Sequence, residues 1–310
     1  MRLADLPFTD LAVQAEPEAC RAKTRGRSLE LEVLPNGMWP ELRDLHEALS
    51  DKKVPRFLVD FHGLRLRAQR RETQRGPVFM VRRVERQVRE LDDLRLAPSV
   101  AKQLRDPELR SGLVIFCGPP AAGKTTAACA MLLARMREIG GFTWTAENPV
   151  EYDLQGVHGK GQCYQEDIAE DTEIGRVFAD TLRSSADTFY IGEIRETSAA
   201  TVAELASASG MLVVSTLHAE TVQQAVLKLG LLGNWQSLAQ SLRVVISMRL
   251  ERRAASAGGS ESILRTQPLV LDPRSKDDEI IRTKIRQGDV AKLADDLERQ
   301  RLRFLATEQR

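Results

Sequence analysis

The sequence predicts an α/β fold, in which a mainly parallel sheet is joined to a smaller N-terminal α+β domain. Three observations lead to this prediction. Strand-like and helix-like segments alternate from about residue 111 to residue 250, which is typical of a parallel sheet covered on both faces. A glycine-rich loop, Gly118–Thr125, lies between an apolar run and a helix-like run. Residues 1–95 lack both features and indicate a separate domain.

The N-terminal domain is predicted from short patterns. Leu29–Leu34 alternates like a strand, and Trp39–Leu49 has the leucine spacing of a helix. Phe57–Phe61 and Pro77–Val81 are apolar enough to form two more strands. The arginines of Arg65–Arg71 lie between these strands. Charge alone favours a solvated strand face for them, with nucleic-acid contact as a weaker alternative because no aromatic residues are interleaved.

Residues 96–110, which include Pro98 and Pro107, indicate a linker with a short helix. The apolar run Leu113–Cys117 then predicts a buried strand, and Thr126–Arg137 predicts a helix that stops at two glycines. Between them stands Gly-Pro-Pro-Ala-Ala-Gly-Lys-Thr, which matches the phosphate-binding pattern G-x-x-x-x-G-K-[ST].

This loop predicts a nucleotide site. Backbone N–H groups at a helix N-terminus can chelate a polyphosphate, and the glycines let the backbone approach it closely. Lys124 would reach the β- and γ-phosphates of ATP, and the Thr125 hydroxyl would bind Mg²⁺. The predicted nucleotide-binding residues are Gly118, Pro119, Pro120, Ala121, Ala122, Gly123, Lys124, Thr125 and Thr126.

Three further strands each lead to a polar side chain. The strands are Phe142–Thr145, Thr188–Ile191 and Met211–Thr216, and the side chains that follow them are Glu147, Glu193 and His218. Ligands gather at the carboxyl ends of parallel strands. Glu193 would hold Mg²⁺ or its water, and Glu147 would orient and deprotonate the attacking water. His218 would either contact the γ-phosphate or serve a structural role. Helices are expected over Thr172–Ser184 and Ser198–Ser207.

The remaining chain carries weaker signals. Residues 111–255 form the predicted nucleotide-binding domain, and 256–310 form a C-terminal strand and helix region. Ala254–Ser262 is rich in small residues and predicts a linker. Leu264–Leu271 predicts an edge strand because Pro268 cannot donate to a central ladder. Asp289–Ala306 predicts a helix that packs at a subunit or partner contact.

Composition excludes several classes of protein. The 310 residues can bury a sizeable core. With 45 basic and 44 acidic residues, the net charge of +1 gives no indication of direct nucleic-acid binding. No apolar run predicts a transmembrane segment, and the N-terminus lacks the apolar core of a signal peptide, so we expect a cytoplasmic protein. The four cysteines form no C-x-x-C pair, which argues against structural zinc or disulfides.

The motifs together resemble those of the secretion ATPase superfamily of the PilT, GspE and DotB/TraJ types, over about residues 60–290. Gly118–Thr125 is similar to its Walker A loop, Thr145–Glu151 to its Asp box, and Thr188–Arg195 to its Walker B segment. Further resemblances are Ser215–His218 to the His box, Gln240–Ser247 to the helix that follows it, Gly63–Gln69 to an R-[YF]-R-V-N strand, and Phe79–Arg82 to a later arginine strand.

The resemblance implies a PAS-like N-terminal domain joined to a RecA-like ATPase domain, in a homohexamer that hydrolyses ATP with Mg²⁺. It implies that Glu147 is the general base and Glu193 the Walker B acid. It also implies that Arg65, Arg67 and Arg82 approach the phosphates, which replaces the solvated-face interpretation. The partner would be an inner-membrane platform or secretion-channel protein, so the ATPase would lie at the cytoplasmic face of the membrane.

Several positions depart from the family pattern. Asn148 stands where the family usually has aspartate, Met211 replaces a histidine, and Ser184–Asp187 replaces the common approach to Walker B. A four-cysteine zinc segment is absent, and Leu154–Cys163 is more similar to the DotB/TraJ branch than to PilT. A conjugative or type IVB secretion motor is therefore favoured over a pilus retraction ATPase. A P-loop kinase, an ATPase unrelated to secretion, and a scaffold with a decayed nucleotide site are the alternatives of other classes.

Overall fold

The computed structural model describes residues 2–24, 30–52, 54–84, 87–94, 96–255 and 259–308. The chain divides into two compact units. The first comprises Met1–Gln87 together with Glu151–Asp153, and the second comprises Val88–Val150 and Leu154–Arg310. The α/β class predicted from the sequence is confirmed.

The first unit is a six-stranded antiparallel sheet with a helix. Its elements are β1 (Phe8–Val13), β2 (Arg21–Thr24), β3 (Glu32–Val33), α1 (Trp39–Ser50), β4 (Arg56–Phe61), β5 (Leu64–Thr73) and β6 (Gly76–Val84). The strand order is β3-β2-β1-β6-β5-β4. Helix α1 buries Leu42, Leu45 and Leu49, the leucines whose spacing predicted it. The strands predicted at 57–61 and 77–81 lie inside β4 and β6.

The second unit is built on an eight-stranded sheet. Its elements are α2 (Pro98–Leu104), β7 (Gly112–Cys117), α3 (Lys124–Glu138), β8 (Gly141–Glu147), β9 (Gly156–His158), β10 (Gly161–Asp167), α4 (Ile174–Thr181), β11 (Thr188–Ile191), α5 (Thr197–Ala208), β12 (Leu212–Leu217), α6 (Val222–Leu232), α7 (Trp235–Ser241), β13 (Leu242–Ala255), β14 (Gly259–Val270), α8 (Lys276–Arg286) and α9 (Leu293–Glu308).

The strand order of this sheet is β14-β13-β7-β12-β11-β8-β10-β9. The strands from β13 to β10 pair in parallel, and antiparallel β14 and β9 close the two edges. Pro268 lies in β14, so the edge position that it predicted is confirmed. The carboxyl ends of β7, β8, β11 and β12 therefore lie side by side, as expected for a ligand site.

Strand β7 shows why the sheet must be covered on both faces, since all six of its residues are buried. Leu113 and Ile115 belong to the core shared with α5, while the alternate residues Val114 and Phe116 point the other way. Helix α3 packs against β7, β8, β10 and β12. A strand buried on both faces has a continuous apolar sequence, which is the pattern that predicted β7.

Three segments differ from their predictions. Residues 242–247, expected to continue a helix, begin β13 instead, because the β-branched Val244, Val245 and Ile246 pair with β7. The predicted small-residue linker 254–262 falls largely within strands, with Ala254 opposite Ser260 and Ala255 opposite Gly259. Its central residues, 256–258, lie outside the described ones. Helix α4 is also shorter than predicted, since residues 171–173 form a 3₁₀ turn before it.

The division of the chain also differs from the predicted one. Residues 96–110 carry α2, whose Val100 and Leu104 are buried, and they belong to the second unit. The C-terminal stretch adds β14 to the large sheet and packs α9 against it. Leu293 and Leu297 of α9 are buried within this unit's own core. The N-terminal unit ends at Gln87, where the prediction placed its boundary at residue 95.

Candidate functional site

The loop Gly118–Thr125 joins the end of β7 to the start of α3. Gly123 has φ +90°, in the left-handed region, and directly precedes the first residue of the helix. A Cβ atom on Gly118 would lie 2.3 Å from the backbone oxygen of Met248, so no larger residue fits there. The loop therefore depends on glycine at both positions. Lys124, Thr125 and Thr126 form the first turn of α3, and the backbone N–H groups of a helix's first turn point toward the residues that precede it, here the loop.

Lys124 is folded back onto the loop, and its residue surface is only 7% exposed. Its Nζ donates hydrogen bonds to the backbone oxygens of Gly118 at 2.9 Å and Pro119 at 3.0 Å. The ammonium group is thus held among carbonyl oxygens at the start of the loop. Burial raises the pKa of the neighbouring Cys117 thiol to about 12, although the charge of Lys124 opposes this shift. Cys117 is therefore a neutral core residue at neutral pH.

His218 connects Lys124 to Glu193. Its Nδ1 lies 3.3 Å from Lys124 Nζ, and its Nε2 lies 3.1 Å from Glu193 Oε1. Because an ammonium group can only donate, Nδ1 acts as the acceptor, and this places the imidazole proton on Nε2, facing the carboxylate. The three predicted residues therefore lie in one line across the ends of neighbouring strands.

The ends of β11 and β12 are fastened together beside this line. Thr216 Oγ1 donates to the backbone oxygen of Gly192 at 2.8 Å, and the N–H of Ile194 donates to the backbone oxygen of Thr216 at 3.0 Å. These bonds hold Glu193 close to the end of β12. The position of His218 and that of Glu193 are therefore set by the same pair of strands.

The two carboxylate oxygens of Glu193 have different surroundings. Oε2 lies 2.8 Å from both Nε and Nη2 of Arg195. Oε1 is buried, and although His218 Nε2 lies 3.1 Å away, that contact does not have hydrogen-bond geometry, so Oε1 accepts no hydrogen bond from the described residues. A buried carboxylate oxygen without a hydrogen bond, beside a loop that has the phosphate-binding pattern, suits a magnesium ion or a water that the ion holds. Together with the Thr125 hydroxyl, Glu193 therefore fits Mg²⁺. No group of three or more His, Cys, Asp or Glu residues suited to a metal ion occurs in the described part of the chain.

Glu147 is the last residue of β8 and is 2% exposed. Its Oε1 accepts a hydrogen bond from Gln165 Nε2 at 2.9 Å. The N–H of Gly192 donates to the backbone oxygen of Ala146 at 3.0 Å, so the turn that carries Glu193 begins beside the end of β8. The two predicted acids thus lie on adjacent strand ends.

Asn148 and Met211, two of the departures from the family pattern, have distinct environments. The Asn148 amide nitrogen donates to Asp171 Oδ1 at 3.1 Å and to the backbone oxygen of Ala169 at 3.3 Å. Met211 is 5% exposed and packs in the core at the start of β12. Asn148 therefore belongs to the polar surroundings of the site, whereas Met211 is a core residue.

The predicted arginines lie on the polar face of the six-stranded sheet. Arg65 and Arg67 alternate along β5 with the buried Leu64, Leu66 and Ala68, and Arg82 on β6 stands directly opposite Arg67. Three acids within the same unit pair with them: Asp153 lies 2.9 Å from Arg65, Glu151 3.8 Å from Arg67, and Asp10 2.8 Å from Arg82. A role for these arginines at the phosphates stays a prediction.

Sequence reasoning did not identify Asp171 or Gln165. Asp171 lies in a 3₁₀ turn whose sequence has no motif, and Gln165 is one polar residue in the alternating strand β10. Only their contacts with Asn148 and Glu147 single them out. A signal was available for Gln165, because a polar side chain on the buried face of a strand needs a partner.

No helix in the described ranges is long and apolar enough to span a membrane. The chain matches the family described as Type II/IV secretion system protein over residues 49–292. It is 36% identical over 165 residues to the Type II secretion system protein E of Klebsiella pneumoniae, covering 52% of this chain and 32% of that protein. It is 30% identical over 214 residues to the type IV pilus ATPase PilU of Pseudomonas aeruginosa, covering 64% of this chain and 54% of PilU. The chain thus spans from about a third to about half of these relatives.

Two solved structures share the fold. The pilus retraction motor PilT with bound ADP superimposes with a TM-score of 0.75 at 20% identity, covering 95% of this chain and 87% of PilT. The ATPase DotB of Legionella pneumophila gives 0.71 at 18% identity, covering 94% and 84%. The RecA-like architecture with an N-terminal domain is thereby confirmed. Because the family match extends over most of the chain, this protein belongs to the type II/IV secretion system protein family.

Proposed function

We propose that this protein hydrolyses ATP with Mg²⁺ and works as a motor of a type IV secretion system of the DotB/TraJ-like kind. The observation that carries the proposal is the line Lys124–His218–Glu193, which crosses the strand ends beside a phosphate-binding loop. A lysine, a histidine and a carboxylate in this order supply a cation for phosphate, a polar contact to it and a ligand for the metal.

The residues divide the work as follows. Gly118–Thr126 hold the phosphates through their backbone N–H groups, which Pro119 and Pro120 alone lack, and Lys124 leaves its carbonyl partners to contact the β- and γ-phosphates. Thr125 and Glu193 would hold Mg²⁺, which supplies neutralisation of charge on the phosphate oxygens. Glu147 orients the attacking water and accepts its proton, while its hydrogen bond from Gln165 fixes the carboxylate. His218 links the γ-phosphate to Glu193, because its Nδ1 faces Lys124 and its Nε2 faces Glu193.

The motor part of the proposal includes a homohexameric ring, located at the cytoplasmic face of a membrane through a platform or channel protein. Family membership and the fold shared with DotB and PilT support it. The Leu154–Cys163 segment, which forms β9, a turn and β10, is the observation that favours the DotB/TraJ-like kind over pilus retraction. Pilus retraction is the second candidate, and the match to PilU supports it.

The test is phosphate release by the purified full-length chain with ATP and Mg²⁺. We expect ADP and phosphate as products without any acceptor, and loss of turnover in Lys124→Ala, because the ammonium contacts the transferred phosphoryl group. Lys102→Ala, on the exposed face of α2, is the control and should hydrolyse ATP normally. A wild-type protein that binds ATP without turnover contradicts the proposal, and transfer of phosphate to an acceptor supports a kinase instead.

A further inference from the structure

Asp171 lies in a hydrogen-bonded turn beside the candidate site. It is the first residue of the 3₁₀ turn at residues 171–173, and Glu173 Oε1 accepts hydrogen bonds from the N–H groups of Ala169 at 2.9 Å and Glu170 at 3.1 Å. The Asp171 side chain is only 13% exposed. Its carboxylate therefore has a defined position, and its contacts are set by the fold of the turn.

The two oxygens of this carboxylate reach two different strand ends. Oδ1 accepts from the amide of Asn148, the residue directly after Glu147. Oδ2 lies 3.5 Å from Arg195 Nη1. Arg195 in turn places Nε and Nη2 on Glu193 Oε2. The Asp171 carboxylate thus contacts both Asn148, which follows Glu147, and Arg195, which pairs with Glu193.

The charges in this chain explain why residue 148 is an amide. Arg195 already faces two carboxylates, those of Glu193 and Asp171. An aspartate at 148 would bring a third negative charge to hydrogen-bond distance from Asp171, where like charges repel. The amide of an asparagine can donate a hydrogen bond there, so the contact becomes attractive. The types of the two residues therefore depend on each other.

We propose that Asp171 is a positioning residue for ATP hydrolysis, and that it acts through Asn148 on Glu147 and through Arg195 on Glu193. This inference rests on the function proposed above. Asp171 does not touch the reacting atoms. It fixes the distance between the two acids, so that the ligand of the metal and the acceptor of the water's proton stay aligned. Asn148 is the residue that lets Asp171 carry out this role.

The test exchanges the two residues. Asn148→Asp restores the usual family residue, and yet it should lower kcat by about tenfold or more while KM changes by less than about threefold. Asp171→Asn should also lower kcat, because Arg195 then faces one carboxylate, that of Glu193, instead of two. The double variant Asn148→Asp/Asp171→Asn transposes amide and carboxylate, keeps the total charge of the pair, and should recover most of the turnover.

A matched control and a second measurement make the outcome decisive. Asp180→Asn makes the same change of charge at an exposed carboxylate of α4 and should leave kcat unchanged. Urea unfolding of the four Asn148 and Asp171 combinations gives their coupling independently of activity. If Asn148→Asp fails to fold, Asp171→Asn still measures the effect on kcat.

The possible results separate the two proposals. If the wild-type protein hydrolyses ATP and both Asn148→Asp and Asp171→Asn have a normal kcat, the positioning role is overturned and the proposed function is not. Unfolding energies that simply add, without coupling between the two positions, also overturn the positioning role. A wild-type chain that binds ATP but does not hydrolyse it overturns the proposed function, and the positioning role with it. Low kcat in both single variants with recovery in the double variant supports the inference.

Discussion

Gln165 donates a hydrogen bond from Nε2 to Oε1 of Glu147 over 2.9 Å, from the strand next to the one that Glu147 ends. Gln165 lies opposite Thr145 in the parallel register of β10 and β8, so both its side chain and that of Glu147 lie on the face covered by α3. A carboxylate that is 2% exposed thus has a neutral donor that fixes its orientation. This is the arrangement expected of an acid that must hold a water in one direction.

The two acids can be tested by removing charge without changing shape. Glu147→Gln and Glu193→Gln should each retain nucleotide binding and lose turnover by about a hundredfold or more, because one removes the proposed base and the other the proposed oxygen ligand of the metal. Steady-state phosphate release and equilibrium nucleotide binding measure the two effects separately. Glu108→Gln, at an exposed position, is the control. Normal hydrolysis in Glu147→Gln would assign the role of base to another acid.

The arginines of the first unit give a second prediction. If Arg67 and Arg82 contact the γ-phosphate during hydrolysis, single alanine variants should keep ATP affinity within a few-fold and lose more than about tenfold in rate, which is about 1.4 kcal/mol of barrier. Larger losses, about 10³–10⁵, are known where one arginine acts alone.

Arg70→Ala is the matched control for these variants, since Arg70 lies on the alternate face of β5 and pairs with Glu72. Stopped assays of phosphate release would detect the difference between the two faces of the strand. Wild-type rates in both Arg67→Ala and Arg82→Ala would return these residues to a solvated strand face, where Arg67 pairs with Glu151 and Arg82 with Asp10.

Arg135 gives a prediction about stability. It lies on α3, is 8% exposed, and donates to the backbone oxygens of Leu104 at 2.9 Å, Asp106 at 3.0 Å and Leu109 at 2.6 Å. Burial lowers the pKa of its guanidinium to about 10, so it stays charged at neutral pH. Arg135→Met should lower the free energy of unfolding by about 2–4 kcal/mol, because three backbone carbonyls lose the donor of a hydrogen bond, and two of these bonds are buried.

Urea denaturation measures this change. Arg137→Met, on the same helix, breaks only an exposed pair with Glu90 and should shift stability by less than about 1 kcal/mol. Equal losses in the two variants would contradict the assignment of Arg135 as the residue that fastens the segment before β7 to the second unit.

Glu204 should make stability depend on pH. Burial is the main reason that its pKa lies above the ordinary value of 4.5, although the N–H of Asn234 and the Ser237 side chain oppose the shift. A raised pKa in the folded state means that the protonated form favours folding. The resulting stabilisation is present below pH 4.5 and is lost as the pH rises through the folded-state value.

Glu204→Gln keeps an acceptor for Asn234 and removes the titration. Relative to this variant, the wild-type protein should become less stable as the pH rises above 4.5. Thermal unfolding at a series of pH values measures the difference, with the exposed Glu108→Gln as control. Parallel curves for wild type and Glu204→Gln would show that the carboxylate is as well solvated when folded as when unfolded.

Local sequence patterns determined much of this protein. The apolar run of β7, the glycine loop and the first turn of α3 follow one another directly in the sequence. The leucines of α1 and the proline that keeps β14 at an edge are likewise local features. Each of these features follows from interactions between residues a few positions apart, such as hydrogen bonding along a helix or the steric demands of glycine and proline. The motif residues Lys124, Glu147, Glu193 and His218 could be named for the same reason.

The tertiary structure decided which of these residues touch. Lys124 and His218 are 94 residues apart and meet because β12 lies next to β7, although four strands and two α-helices separate β12 from α3 along the chain. Residues 242–247 form a strand because they pair with β7, and this pairing outweighs the predicted continuation of the helix. Asp171 and Asn148 meet for the same kind of reason. Local patterns specify which element forms, whereas strand order and register specify side-chain neighbours, and these depend on the whole sheet.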